Sequence, residues 1–123
     1  MAEKYKILAV DDEDALRTIV QHELTTLGYE VDVAEDGKVA LEMAANKKYD
    51  MLILDIFMPN VDGMEVLRQT REKNLAKKVI MLTGVNEMKI ARESLALGAN
   101  DFITKPYDIN NLIACINRVM KEA

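Results

Sequence analysis

The stretch Met51-Leu52-Ile53-Leu54-Asp55-Ile56-Phe57-Met58-Pro59 constrains the fold more than any other. Four consecutive apolar residues suit a strand buried on both faces, as in a parallel sheet covered by helices, and they run directly into a carboxylate. Pro59 stops a regular continuation and biases Met58 toward an extended backbone, so Asp55 is expected at the carboxyl end of the strand. In open α/β sheets that end is where ligands bind. Asp55 is therefore the first candidate for a reactive residue.

The rest of the chain alternates short apolar runs with segments of helical period, which predicts a parallel sheet with crossover helices. Expected strands are Lys6 to Val10, Glu30 to Ala34, Met51 to Asp55, Val79 to Leu82 and Asp101 to Thr104. In the first helix Leu16, Ile19, Val20, Leu24 and Leu27 share a face, with Gly28 as the stop. Asp36-Gly37 opens a second helix with Val39, Ala40, Met43 and Ala44 inward, ending near Asn46. After Asp62-Gly63 a third runs from about Met64 to Asn74, and a fourth from about Glu87 to Leu97, with Asn86 as N-cap and Gly98 just past its end. The last has Asp108 as N-cap, Tyr107 and Leu112 spaced as a hydrophobic staple, and Ile109, Leu112, Ile113, Ile116, Val119 and Met120 on one face. Five such units joined by right-handed crossovers predict a doubly wound three-layer sandwich.

A chain of 123 residues is expected to form one domain spanning 1–123. Its net charge of −5, with no cluster of Lys and Arg, argues against direct nucleic-acid binding or attachment to an anionic membrane surface. One cysteine excludes an internal disulfide. No apolar run approaches the roughly 18 residues needed to span a bilayer, and Met1 to Lys6 lack the core of a signal peptide, so the cytoplasm is the expected compartment.

The strand-to-helix loops on the carboxyl side offer Asp11 and Asp12 after the first strand, Asp55 after the third, Thr83 after the fourth and Lys105 after the fifth. Taken singly, each has an ordinary explanation as a turn, cap or surface residue. Together, three clustered carboxylates need compensating charge. Oxygen ligands without His or Cys favour Mg²⁺, which also prefers sites carrying phosphate. Mg²⁺ and the Lys105 ammonium together balance the three carboxylates, ready to neutralise an incoming phosphoryl group that the Thr83 hydroxyl can bind. Asp55 as nucleophile would give an acyl phosphate without a general base, since a carboxylate is ionised near pH 7. His22 falls off the apolar stripe of its helix and reads as exposed; Cys115 reads as a packed, reduced hydrophobe. Gly84 suggests close approach of the backbone to a phosphate.

The set Asp11-Asp12, Asp55 with Met58-Pro59 and Asp62-Gly63, Thr83-Gly84, and Lys105-Pro106 resembles the receiver domain of bacterial two-component response regulators, over essentially the whole chain. The resemblance implies a flavodoxin-like fold of strand order 2-1-3-4-5, with Asp11, Asp12 and Asp55 meeting at the switch point. It implies that Asp55 accepts phosphate from a sensor histidine kinase or phosphotransfer protein. Asp12 and Asp55 would ligate Mg²⁺ directly, Asp11 through water, and the Phe57 backbone carbonyl would complete the protein ligands. Thr83 and Lys105 would hold the phosphoryl group, with Lys105-Pro106 as a cis peptide. Thr83 and Phe102 would form the switch that alters the surface of the fourth helix, fifth strand and fifth helix, as a monomer or a phosphorylation-dependent dimer. Phe102 lacks the hydroxyl of the tyrosine found in many members. Phe57 and Val85, both apolar, should lie beside the phosphoryl group and slow its hydrolysis.

Other classes fit less well. A phosphatase of the haloacid dehalogenase type needs an acid/base Asp where this chain has Phe57, and a flavodoxin-like electron carrier needs a small-residue phosphate loop where it has Asp11-Asp12-Glu13-Asp14. A pseudo-receiver acting only as an interaction module is the remaining alternative. The closing Lys121-Glu122-Ala123 reads as a helix end and favours a free-standing receiver over part of a longer regulator; the downstream partner is not specified by sequence.

Overall fold

The computed structural model describes residues 4–58 and 60–122. The expected role of Pro59 as the breaker after the third strand, and that of the last residue, 123, fall outside them. Five strands, β1 (Lys6–Val10), β2 (Glu30–Ala34), β3 (Tyr49–Asp55), β4 (Ala76–Thr83) and β5 (Asp101–Thr104), alternate with α1 (Asp14–Thr26), α2 (Gly37–Asn46), α3 (Gly63–Lys73), α4 (Met88–Ala96) and α5 (Ile109–Lys121). All neighbouring strands pair in parallel, in the order 2-1-3-4-5. This is the flavodoxin-like three-layer sandwich expected from the sequence.

The central strand β3 sits between β1 and β4 with Met51 to Leu54 completely buried, because both faces of the sheet are covered. On one side Val20 and Leu24 of α1 and Leu112, Cys115, Ile116 and Val119 of α5 pack on Ile7, Met51, Ile53 and Ile80. On the other, Ala40 and Ala44 of α2, Val66 and Leu67 of α3 and Ala91 of α4 pack on Leu8, Leu52, Leu54 and Met81. Odd and even residues of β1, β3 and β4 thus feed opposite layers, which is why these strands carry continuous apolar runs.

Three helices begin on carboxylate caps, which satisfy backbone donors the helix itself cannot. Asp36 accepts from Val39 N at 2.9 Å, Asp62 from Glu65 N at 3.0 Å and Asp108 from Asn110 N at 2.8 Å. Gly28 and Gly98 take positive φ after α1 and α4, the left-handed stop that glycine adopts without steric cost.

Several boundaries differ from expectation. β3 and β4 begin earlier, at Tyr49 and Ala76, since Tyr49 and Ala76 pair with one another and extend the ladder below the apolar runs. Asn86 is not the cap of α4; it lies in a 3₁₀ turn over Val85–Glu87, and Glu87 is the residue that precedes the α-helix. α3 stops at Lys73 because Asn74 turns left-handed at φ 53°. Ile19 and Leu27, expected on the inner face of α1, are 48% and 54% exposed: a 13-residue helix crossing a short β1–β2 edge covers only part of its own stripe. His22 is exposed and Cys115 buried.

The expectation that the chain lacks a cluster of basic residues holds for the linear sequence and not for the fold. Lys4, Lys6, Lys48, Arg71 and Lys77 line one groove at the amino-terminal edge of the sheet, brought together by β1, β3, β4 and the end of α3. Helices end on this side, so cations here complement the negative poles of helix dipoles. Among the described residues no helix is long and apolar enough to cross a membrane.

Candidate functional site

At the opposite edge, the strand ends converge. Asp55 closes β3, and the chain crosses at once to β4, with Ile56 N donating to Leu82 O at 3.0 Å. Gly63 N returns to Ile56 O at 2.8 Å. A Cβ at position 63 would lie 2.2 Å from the Asp55 carbonyl oxygen, so only glycine lets α3 start this close to the strand end. The β1–α1 loop is pinned from two sides: Asp11 Oδ1 accepts from Glu13 N at 2.9 Å, and Arg17 Nη1 donates to the Asp11 carbonyl at 2.6 Å while its other nitrogen pairs with Asp14.

Asp11, Asp12 and Asp55 each offer a carboxylate oxygen, all within 4.8 Å of one another. Asp11 and Asp55 are only 4% and 8% exposed, whereas Asp12 faces solvent. From the β5 loop Lys105 reaches over them: its Nζ is 2.9 Å from Asp55 Oδ2, 2.8 Å from Asp11 Oδ2 and 3.4 Å from Glu13 Oε1. Lys105 N also donates to Thr83 O at 2.6 Å, and the Lys105–Pro106 peptide is cis.

Burial pushes the Asp55 carboxyl up to about 6, and the neighbouring Asp11 and Asp12 charges add to that; the Lys105 ammonium opposes both without cancelling them. Burial by itself would lower the Lys105 pKa, but close contact with the Asp11 and Asp55 carboxylates outweighs it and raises the ammonium well above the ordinary lysine value. The site therefore stores repulsion that one amine relieves only in part.

The residues fit a divalent cation. Three carboxylates against one ammonium leave two formal negative charges, the donor set is oxygen only, and the buried Asp11 Oδ2, though 2.8 Å from Lys105 Nζ, accepts no hydrogen bond. Asp11, Asp12 and Asp55 would hold such an ion.

Thr83 and Phe102 stand apart from this cluster. The Thr83 hydroxyl is fully buried and donates within its own turn, to Gly84 O at 3.2 Å and Glu87 O at 3.4 Å. Phe102 is half-buried on β5, against the cluster that contains Ala91 and Ala99. The Phe57 and Val85 side chains are 51% and 65% exposed on the two loops that flank Asp55. The space beside Gly84 is filled not by open solvent but by the Glu87 carboxylate, which accepts from Gly84 N at 2.6 Å. Arg17 and Glu87 were not singled out from sequence: each acts through a backbone atom of a neighbouring loop, which composition and spacing do not reveal.

Residues 7–117 match the family model described as the response regulator receiver domain. The chain is 42% identical over 115 residues to the response regulator ArlR of Staphylococcus epidermidis, covering 94% of this chain and 52% of that protein. It is 37% identical over 118 residues to the alkaline phosphatase synthesis transcriptional regulatory protein PhoP of Bacillus subtilis, covering 96% and 49%. It thus spans about half the length of these curated relatives. The structure of the chemotaxis response regulator CheY4 of Vibrio cholerae superposes with a TM-score of 0.88 at 34% identity, covering 95% of this chain and 99% of that one. With residues 7–117 matched to the family model and nearly the whole chain superposing on CheY4, the chain belongs to the receiver-domain family of two-component response regulators.

Proposed function

We propose that residues 1–123 form a single phosphoacceptor receiver domain and that Asp55 is the residue modified. The observation that carries this is the Lys105 ammonium held within 3 Å of both buried carboxylates, Asp11 and Asp55, at the sheet edge. It supports a centre that, once a divalent cation offsets the remaining carboxylate charge, can take the added negative charge of a phosphoryl group.

A phosphohistidine on a sensor histidine kinase or phosphotransfer protein is the donor. An Asp55 carboxylate oxygen attacks phosphorus; the P–O bond forms, the P–N bond breaks, and its electron pair returns to the imidazole, which takes a proton from solvent. With a pKa near 6, Asp55 is mostly ionised at pH 7 and needs no base. Asp12, Asp55 and the Phe57 carbonyl would hold Mg²⁺ directly and Asp11 through water, and the ion when bound would supply charge neutralisation for the transferring oxygens. Lys105 orients one of these oxygens, and Thr83 turns from its carbonyl partners to donate to another. That turn frees room for Phe102 to move inward, altering the α4, β5 and α5 surface for a downstream partner or domain; the name of the PhoP relative supports an output in transcriptional control.

Incubation with acetyl phosphate and Mg²⁺, followed by intact-mass measurement, tests the reading. One phosphoryl adduct is expected, absent in Asp55→Asn and without added Mg²⁺. No adduct, or one that persists in Asp55→Asn, refutes it and leaves an interaction module.

A further inference from the structure

The turn after β4 is closed on itself by one side chain. Gly84 N donates to Glu87 Oε1 at 2.6 Å, Glu87 N donates back to Gly84 O at 3.1 Å, and the Thr83 hydroxyl points to the carbonyls of Gly84 and Glu87. Asp55 pairs with Leu82 across the β3–β4 ladder, so Thr83 and Gly84 are the next residues along the edge that faces an anion placed on Asp55. Their two donors, one hydroxyl and one amide, are the anion-binding capacity of that edge. In this structure an internal anion has taken the amide.

We propose that Glu87 is a positioning residue that competes with the phosphoryl group for the β4 edge. Its carboxylate holds the Gly84 amide in the unphosphorylated state and must give it up for a phosphoryl oxygen to be bound there. The proposal rests on Asp55 being the phosphoacceptor. A carboxylate oxygen and a phosphoryl oxygen make the same charge-assisted hydrogen bond to a backbone N–H, so each excludes the other. Releasing Glu87 also unfastens the carbonyl that Thr83 Oγ1 uses, which couples departure of the carboxylate to reorientation of the hydroxyl. The seat depends on glycine: a Cβ at position 84 would lie 2.5 Å from Glu87 Oε1, and the backbone there has φ −77°, open to any residue. Alanine at 84 would therefore dislodge the carboxylate without removing its charge.

Beryllofluoride, titrated in the presence of Mg²⁺ and followed by ¹⁵N–¹H spectra, tests this with three variants. Glu87→Gln weakens the seat by removing charge, and Gly84→Ala by occupying its space. Both are expected to bind beryllofluoride roughly tenfold more tightly than wild type, the ratio expected when a charge-assisted bond is lost from the competing state alone. Glu93→Gln, which removes an exposed charge on α4, is expected to stay within about twofold of wild type. Wild-type affinity in Glu87→Gln and Gly84→Ala, tightening in only one of them, or equal tightening in Glu93→Gln overturns the proposal. Failure of wild type itself to bind, or equal binding by Asp55→Asn, refutes the phosphoacceptor reading instead.

Discussion

Removing the charge of Asp55 should stabilise the metal-free fold. The carboxyl moves from 3.8 to about 6 on folding, chiefly through burial, so the folded state binds this proton more tightly than the unfolded chain. Stability therefore falls as pH rises from about 4 to about 6 and stays reduced above that range. A rise of about 2, at 1.36 kcal/mol per pH unit, sets a ceiling of about 3 kcal/mol that already includes the opposing Lys105 contact, and the expected gain in Asp55→Asn is about 1–3 kcal/mol at pH 7. For a chain of this size that corresponds to a rise in Tm of roughly 4–12 °C. Urea and thermal unfolding in the presence of a chelator, at pH 7 and near pH 4, provide the assay. The gap should be present at pH 7, nearly vanish near pH 4, and narrow when Mg²⁺ is restored, because a cation that binds only the folded wild type stabilises it by mass action. A variant less stable than wild type at pH 7, or a gap unchanged between the two pH values, would refute the account of stored repulsion.

Three further outcomes follow from particular contacts. Phe57→Asn places a polar group beside the acceptor and should shorten the lifetime of the acyl phosphate severalfold, read by the decay of the intact-mass adduct; an unchanged or slower decay counts against shielding by Phe57. Gly63→Ala forces a Cβ against the Asp55 carbonyl and should cost about 2–4 kcal/mol in urea unfolding, with phosphorylation impaired beyond what lost stability explains. Arg71 donates to Gly98 O, Lys77 O and Asn100 Oδ1, tying α3 to β4 and to the turn before β5; Arg71→Leu should lower stability by about 2 kcal/mol while the mass adduct still forms.

The strand order was legible because β1, β3 and β4 carry apolar runs, β2 alternates and β5 is short and bounded, and helices of 3.6 period separate them. The residues at the carboxyl edge were legible because Asp11, Asp55, Thr83 and Lys105 each follow such a run directly. What sequence could not show is where long side chains reach. Arg17 serves the carbonyl of a residue six positions back, and Glu87 reaches over a turn that reads from sequence as an ordinary Asn86 cap. The early starts of β3 and β4 were hidden for a different reason. Asp50, Lys77 and Lys78 separate the paired and buried Tyr49 and Ala76 from the apolar runs that follow, which breaks the pattern at the lower edge. The five cations gathered around the lower groove are far apart in the chain, so no window of sequence contains them.

The complete enclosure of Met51 to Leu54 restricts how news of a modified Asp55 can spread. A strand wedged between two helical layers and two neighbouring strands has no free volume in which to shift, and interiors packed this densely resist gradual deformation. Displacement must then run sideways along the rim, from loop to loop, with the sheet as a rigid floor. Substitutions in the middle of β3 should accordingly alter how long the domain survives, and those in the rim loops how it answers.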